Sequence, residues 1–184
     1  MKRDLAPLLL LALLLVVQAA VYAPRMPDPM ATHFGLSGEA DGWMSPVTFF
    51  SAMGFVSLLT VGLLVVVAVF LPRLPIEMIS IPNREHWLTG ERRGESFEVL
   101  RRYVLALGLA TALLTLGATQ SAIDANLRPP PARLDGWFLW LLGAYLAFTV
   151  LWVVSLWRRF ATEPDVPAET GYLGCSGSRA SDRP

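Results

Sequence analysis

The chain has few of the side chains on which most catalytic and metal sites depend, with one cysteine and two histidines in 184 residues. A single thiol excludes an internal disulfide, so Cys175 is expected to be free. Charged residues are also scarce, at 16%, whereas hydrophobic residues reach 54% and the mean hydropathy is +0.49. Soluble globular domains of ordinary composition carry more polar surface than this. The sequence therefore indicates an integral membrane protein.

Acidic residues, basic residues and histidine are absent from four long apolar stretches. These stretches lie at about residues 5–23, 47–71, 103–123 and 136–157. Each has about 20 residues, and a helix of that length covers the roughly 30 Å hydrocarbon core of a bilayer. We therefore predict an all-α integral membrane protein with four transmembrane helices.

The lack of ionisable groups within these stretches also excludes several classes of function. Proton pathways and intramembrane hydrolases need such groups inside the bilayer, whereas the strongest polar side chains here are Gln18 and Gln120. The sequence contains no phosphate-binding loop and no recognised motif that pairs a nucleophile with a base. With zero net charge and no basic stripe, a nucleic-acid partner is not expected. We predict a protein that is not an enzyme and has no cofactor.

The basic residues predict the orientation of the chain in the membrane. Twelve of the fifteen precede the first stretch, lie between the second and third, or follow the fourth. Only Arg25, Arg128 and Arg133 lie in the other two loops. Because lysine and arginine are retained on the cytoplasmic side, both termini and the middle loop are expected in the cytoplasm. The bias towards arginine, alanine, leucine and proline suggests a bacterial gene, and hence a multi-pass protein of the bacterial inner membrane.

The first apolar stretch has an alternative interpretation as a secretory signal peptide, because Lys2 and Arg3 precede it and small residues end it. Cleavage would leave three spans. The stretch is longer than a usual signal core and prolines follow closely, so we expect it to be retained. Residues 1–162 then form one four-helix transmembrane domain, and residues 163–184, rich in Pro, Gly, Ser and charge, are expected to be a disordered cytoplasmic tail.

The loop at residues 24–43 combines more specialised residues than any other segment. One strand within residues 31–36, with turns at Ser37-Gly38 and Asp41-Gly42, predicts a small ordered hairpin before Trp43 begins the second span. We predict that this loop recognises a ligand outside the cytoplasm. The candidate recognition residues are His33, Phe34, Glu39, Asp41 and Trp43.

The polar residues of this loop allow two interpretations. His33, Glu39 and Asp41 have the chemistry of metal ligands, but the loop lacks a cysteine, a second histidine and the H-E-x-x-H spacing. Alternatively, His33 bonds to the loop backbone or to the carboxylates, and Asp41 caps the second span. We predict that no metal is bound.

The middle loop contains a second candidate surface. Prolines interrupt the chain after the second span, and residues 89–102 predict a helix that runs into the third. His86, Trp87, Arg92 and Arg93 are candidates for docking a cytoplasmic protein. The alternative is a segment on the membrane surface whose arginines contact anionic lipid headgroups.

Small residues recur at helical spacing in the third and fourth stretches. Gly108, Thr111 and Thr115 share one helical face, and Gly143 and Ala147 form another. Such faces allow close helix packing, either within one bundle or against a second protein.

The pattern Pro29-x-x-x-His33-Phe34-x-x-x-Gly38-x-x-Asp41-Gly42-Trp43 between two apolar spans has a family resemblance. It resembles the domain of unknown function at the N-terminus of bacterial Sdp-type toxin-immunity membrane proteins and in their stand-alone relatives. The resemblance covers roughly residues 8–60, and the two later spans are more similar to the stand-alone group. It implies a polytopic membrane protein. In the immunity branch it also implies protection against a secreted peptide toxin and signalling by sequestration of a cytoplasmic repressor.

Taken together, these features predict a non-enzymatic sensor or immunity-like protein of the inner membrane that recognises an extracytoplasmic peptide or envelope component. Its expected partners are the lipid bilayer, that peptide, and a membrane or cytoplasmic protein. One alternative is an accessory or scaffold subunit of a transporter or envelope complex. The other is a metal-dependent membrane enzyme.

Overall fold

Four long helices dominate the computed structural model, which describes residues 2–35 and 37–162. They are α1 (Lys2–Tyr22), α2 (Pro46–Phe70), α4 (Arg93–Leu127) and α5 (Gly136–Ala161). A single turn, α3 (Arg84–Trp87), precedes α4, and strands β1 (Met30–Phe34) and β2 (Ala40–Met44) form a hairpin between α1 and α2. All four long helices are long and apolar enough to cross a membrane, which confirms the predicted fold class. The predicted tail and Cys175 lie outside the described residues.

The long helices expose much of their apolar surface. Leu58 on α2 is 74% exposed and Trp140 on α5 is 83% exposed. Contiguous exposed apolar surface of this kind is unfavourable in water and suits contact with lipid chains. The four helices therefore have the surface of a multi-pass membrane protein.

Helix α4 is the centre of the bundle and packs against α1, α2 and α5. Leu8 and Leu11 of α1 meet Leu105 and Ala112 of α4 in one buried cluster. A Cβ atom at Gly117 would lie 2.2 Å from Leu141 Cδ2, so glycine is what lets α5 approach α4 this closely. Gly108, from the small-residue face predicted in the third stretch, also packs closely, since a Cβ there would lie 3.5 Å from Leu64 Cδ1 of α2 and 3.8 Å from Leu8 Cδ2 of α1. That face is thus used for packing within the chain.

The two polar residues singled out within the spans bond to each other. Gln18 Nε2 of α1 donates to Gln120 Oε1 of α4 at 2.8 Å, and also lies 3.4 Å from the carbonyl oxygen of Leu116. Gln18 is only 7% exposed. Because a buried amide is costly without partners, this pair fixes the position of α1 against α4.

The ends of two helices differ from the sequence prediction. Trp43 does not begin the second span but lies in β2, and α2 begins at Pro46, where Ser45 Oγ accepts the Thr48 N–H at 3.2 Å. This serine, rather than Asp41, caps the helix. Helix α4 has 35 residues, and at about 1.5 Å per residue it extends beyond the hydrocarbon core at both ends. The predicted helix that runs into the third span is therefore confirmed as one continuous element, although it begins at Arg93 rather than at residue 89 and ends at Leu127 rather than at residue 123.

The alternating direction of the helices brings the connecting segments together at two ends of the bundle. The hairpin end contains residues 23–45 and 128–135, and the arginine-rich end contains residues 71–92 and 158–162. A buried cluster lies beneath each. Met26, Met30, Phe49 and Ile123 belong to the cluster below the hairpin.

Candidate functional site at the hairpin end

The hairpin is shaped by two glycines. Gly38 has a φ of +79°, a conformation that side chains disfavour, and it forms the turn together with Ser37. Gly42 lies opposite His33 in the antiparallel pairing, where a Cβ would be 2.9 Å from His33 Cβ. The predicted turn at Ser37-Gly38 is thus present, whereas Asp41-Gly42 lies within β2. The expectation of a second turn there was wrong, because a glycine is needed for strand contact at that position.

Asn126, near the end of α4, holds the hairpin on the bundle. Its Oδ1 accepts the N–H of Ala31 and its Nδ2 donates to the carbonyl oxygen of Ala31, each at 2.7 Å. Ala31 is 2% exposed, so water has little access to these backbone groups. The Asn126 side chain therefore satisfies the backbone N–H and C=O of Ala31 in β1, as a neighbouring strand would.

The loop before α5 bonds to the other side of the hairpin. The N–H of Ala40 donates to the Ala132 carbonyl at 3.2 Å, and the N–H of Leu134 donates to the Gly38 carbonyl at 3.0 Å. Glu39 and Arg133 form an ion pair across the same junction. The two segments predicted to share one side of the membrane are therefore joined into a single surface.

A second ion pair, between Arg128 and Asp135, closes this loop on itself. The hydrogen bond from the Arg128 guanidinium holds the pKa of the Asp135 carboxyl below its usual value. The same hydrogen bond raises the pKa of Arg128. The loop is therefore constrained at both ends, by bonds to the hairpin and by this pair.

The predicted recognition residues divide into separate groups. His33 Nδ1 lies 2.5 Å from Asp41 Oδ1, and both side chains are largely exposed. Glu39 is directed to Arg133 instead, and Phe34 packs against the apolar cluster under the hairpin. Trp43 is 57% exposed. Histidine and the two acidic residues thus do not converge, and no group of three or more His, Cys, Asp or Glu side chains within the described ranges is placed to hold a metal ion.

A groove of about 430 Å³ lies between the hairpin and the loop before α5. Trp43 and Glu39 contribute to one wall, and Arg128 and Asn126 to the other. Prolines supply much of the remaining surface. They are Pro27, Pro29, Pro130 and Pro131. Of the five predicted recognition residues only Glu39 and Trp43 line this groove, whereas His33, Phe34 and Asp41 do not.

Sequence reasoning missed the half of the groove that comes from α4 and the following loop. Asn126 lies just beyond the predicted third span, and the sequence pattern gave Arg128 no role beyond its charge. The signal available was the composition of residues 124–135, which include two arginines, two aspartates and three consecutive prolines in a short outer loop. What the sequence did not reveal is that this loop pairs with the hairpin nearly 100 positions earlier.

The second predicted surface, at the arginine-rich end, is brought together only in part. The Trp87 indole N–H donates to the Phe160 carbonyl at 2.9 Å, and Arg92 contacts both His86 and the Trp87 ring. Arg93 lies on the other side, donating to the Pro72 carbonyl at 3.4 Å. Docking of a cytoplasmic protein here stays a prediction.

The comparison with known families gives a match to the first part of the chain. Residues 9–56 match the family model of a domain of unknown function, DUF1648. The match covers most of α1, the whole hairpin and the first part of α2. The part of the groove that comes from residues 125–132 lies outside it. No curated protein and no solved structure matches the chain.

Proposed function

We propose that this chain is a non-enzymatic receptor of the bacterial inner membrane, with its hairpin end outside the cytoplasm, that binds a peptide or envelope component. An immunity-like role, in which the bound molecule is a secreted peptide toxin, is the specific form suggested by the resemblance to Sdp-type proteins. The match of residues 9–56 to a family without known function is compatible with this role.

The groove at the hairpin end is the observation that carries the proposal. Its proline and tryptophan walls offer apolar contact, and the rim carries the charges of Glu39 and Arg128. Both rim charges are already paired within the chain, with Arg133 and Asp135. Fixed apolar walls with a few placed polar groups are typical of binding sites, and prolines and aromatic rings suit an extended peptide.

The proposed orientation is tested by cysteine accessibility in intact cells. Ser37→Cys and Glu91→Cys are made separately in a Cys175→Ser chain, so that each variant has one thiol. An impermeant maleimide should label the thiol at 37 in intact cells and the thiol at 91 only after lysis. Equal labelling of both in intact cells would place the two ends in one compartment and contradict the orientation.

Binding in the groove is tested by photocross-linking. A benzophenone amino acid replaces Trp43 in one sample and Trp140 in another, because Trp140 is 83% exposed but lies on α5 and does not line the groove. We expect a discrete cross-linked peptide or envelope component from position 43 and only lipid from position 140. The same cross-links from both positions would argue against a site.

The immunity-like form has its own test. Cells that produce the chain are challenged with a membrane-active peptide toxin of the class that Sdp-type immunity proteins counter. Survival should rise, Trp43→Ala should abolish the increase, and Trp140→Ala should retain it. Protection that is absent, or unaffected by Trp43→Ala, would remove the toxin from the proposal.

A second candidate function is that of an accessory subunit in a membrane complex. Helix α5 supports it, because Phe160 is its only buried residue and no atom lies within 4 Å of a Cβ built at Gly143. Purification in mild detergent decides this: a stoichiometric membrane partner that Gly143→Leu removes would favour the accessory role. Recovery of the chain alone would leave the receptor as the better interpretation.

A further inference from the structure

Arg73 at the arginine-rich end and Arg93, the first residue of α4, both donate to backbone carbonyls near the end of α2. Arg73 Nη1 donates to the Val69 carbonyl and Arg93 Nη2 to the Pro72 carbonyl, each at 3.4 Å. The Arg73 guanidinium therefore lies at the last turn of α2, and that of Arg93 lies at the short turn just beyond it. Neither forms an ion pair with any acidic side chain that the structure describes. Two like charges meet at one helix end, where the carbonyls offset only part of their charge.

Each guanidinium is also held in place by an aromatic ring. The Arg73 Cζ lies 5.5 Å from the Phe70 ring centroid, and the Arg93 Cζ lies 5.5 Å from that of Phe97. A guanidinium has five N–H donors in a planar fork that matches phosphate oxygens. One carbonyl bond each leaves most of these donors available for an anion.

A groove of about 510 Å³ opens beside Arg93, between the end of α2 and the start of α4. Ala68, Val69 and Phe97 give it an apolar floor. The one carboxylate that lines it, Glu98, already accepts hydrogen bonds from Arg101 and Arg102. The groove thus combines a positive mouth with an apolar interior.

An exposed apolar strip on α2, outside this groove, leads to Arg73, which does not itself line the groove. Val66 is 52% exposed and Phe70 is 50% exposed, and with Arg73 they follow the i, i+4, i+7 spacing of one helical face. The strip runs from the bilayer interior towards the arginine-rich end. A charged group at the membrane boundary followed by an apolar strip matches the order of the headgroup and the acyl chain in a phospholipid.

We propose that Arg73 and Arg93 bind the phosphate of an anionic phospholipid, with one acyl chain against Val66 and Phe70 of α2. This site lies at the opposite end of the bundle from the hairpin groove and does not depend on the proposed receptor function. Basic pockets at helix ends on the cytoplasmic face are suited to such headgroups, and lipid is present at high local concentration there. A single acyl chain along α2 distinguishes this binding from that of a free phosphate ion.

Native mass spectrometry of the full chain in mild detergent tests the site. Phosphatidylglycerol and phosphatidylcholine are added separately, since both carry a phosphate but only the first has a net charge. We expect phosphatidylglycerol to be retained in preference to phosphatidylcholine. Arg73→Gln and Arg93→Gln should each weaken its retention about fivefold, the effect of removing one basic residue near a membrane surface.

Arg84→Gln is the matched control, because Arg84 is an exposed arginine at the same end that also donates to a backbone carbonyl, that of Glu77. It should retain phosphatidylglycerol as the unmodified chain does. Arg93→Lys keeps the charge and should retain phosphatidylglycerol at an intermediate level. Circular dichroism of each variant should show unchanged helicity, which distinguishes loss of lipid binding from loss of folding.

Three outcomes would overturn the proposal. The first is equal retention of the two lipids, and the second is unchanged binding of phosphatidylglycerol by the Arg73→Gln, Arg93→Gln double variant. The third is displacement of the lipid by an equal concentration of inorganic phosphate, which would identify an anion site without an acyl-chain contribution.

Discussion

The two ends of the bundle are held together by different interactions. At the hairpin end, directional bonds join the segments, chiefly the paired hydrogen bonds between Asn126 and Ala31. At the arginine-rich end, the segments are held together mainly by apolar burial, since Leu88 is fully buried and Phe160 is only 2% exposed. Hydrogen bonds have strict geometry, whereas burial depends mainly on volume. The hairpin end is therefore the part whose shape depends on the identity of single residues.

This difference suits the proposed roles of the two ends. A groove that recognises a molecule needs walls in fixed positions, and the backbone bonds at Ala31, Gly38 and Ala40 provide them. The arginine-rich end instead presents exposed charged side chains over a packed apolar base. Substitutions that weaken one type of interaction at a time test this distinction between the two ends.

The largest effect is expected from Phe160→Ala. Phe160 packs edge to face with Trp87 at a centroid distance of 5.7 Å in the cluster with Leu71 and Leu88. Removing the ring leaves a cavity and should lower the free energy of unfolding by about 3–5 kcal/mol. Thermal unfolding in detergent measures this. Trp157→Ala is the control, since Trp157 is 60% exposed and should matter little; equal losses would contradict the role of burial.

Asn126→Ala should open the hairpin while leaving the helices in place. The substitution leaves the N–H and C=O of Ala31 without hydrogen-bond partners in a place that is nearly inaccessible to water. This should lower the local stability of the hairpin by about 2–3 kcal/mol. Hydrogen exchange at Ala31 and its neighbours should accelerate, whereas exchange in α2 should not change. Asn126→Asp keeps the acceptor and loses the donor, so its effect should be intermediate. Global unfolding by both variants would show that the hairpin is not an independent unit.

A smaller effect is expected from Gly42→Ala, because the new methyl group would lie 2.9 Å from His33 Cβ. The strands must separate slightly, and this should cost about 1–3 kcal/mol of local stability and disturb the His33–Asp41 contact. Gly62→Ala is the matched control, with nothing within 4 Å of the added carbon. Hydrogen exchange in β1 and β2 distinguishes the two, and identical profiles would show that the hairpin tolerates the methyl group.

The smallest effect concerns pH at the Arg128–Asp135 pair. Its hydrogen bond lowers the pKa of Asp135 in the folded chain, from an ordinary value of 3.8. The pair therefore stabilises the loop above about pH 4, and this contribution is lost as the pH falls through the lowered pKa. An NMR titration of the Asp135 carboxyl should show a higher pKa in Arg128→Gln. Arg133→Gln is the control and should leave that pKa unchanged.

The sequence predicted the features that depend on one segment at a time. The four spans, the turn at Ser37-Gly38 and the packing role of Gly108 all follow from local composition or periodicity. The prediction was wrong where a residue type is compatible with more than one local structure. Gly42 was expected in a turn because glycine favours turns, yet its lack of a side chain serves the strand pairing.

The candidate site was predictable only in part, for a related reason. Glu39 and Trp43 were identified from the hairpin segment, but Asn126 lies near the end of α4 and Arg133 in the loop that follows, and the sequence does not indicate which segments pair. His33 and Asp41 do form a pair, yet it lies apart from the groove. Pairing over long sequence separation depends on how α1, α2 and α4 pack.

Local composition is enough to set four apolar helices joined by short polar segments, because hydrophobic free energy depends on composition and helix length depends on local hydrogen bonding. Helix packing, in contrast, brings Asn126 to β1 and Gln18 to Gln120, and it builds one groove from the hairpin and the distant end of α4 with its following loop. These contacts require side chains from separate helices to reach each other within hydrogen-bond distance. That condition is met only once the helices have packed.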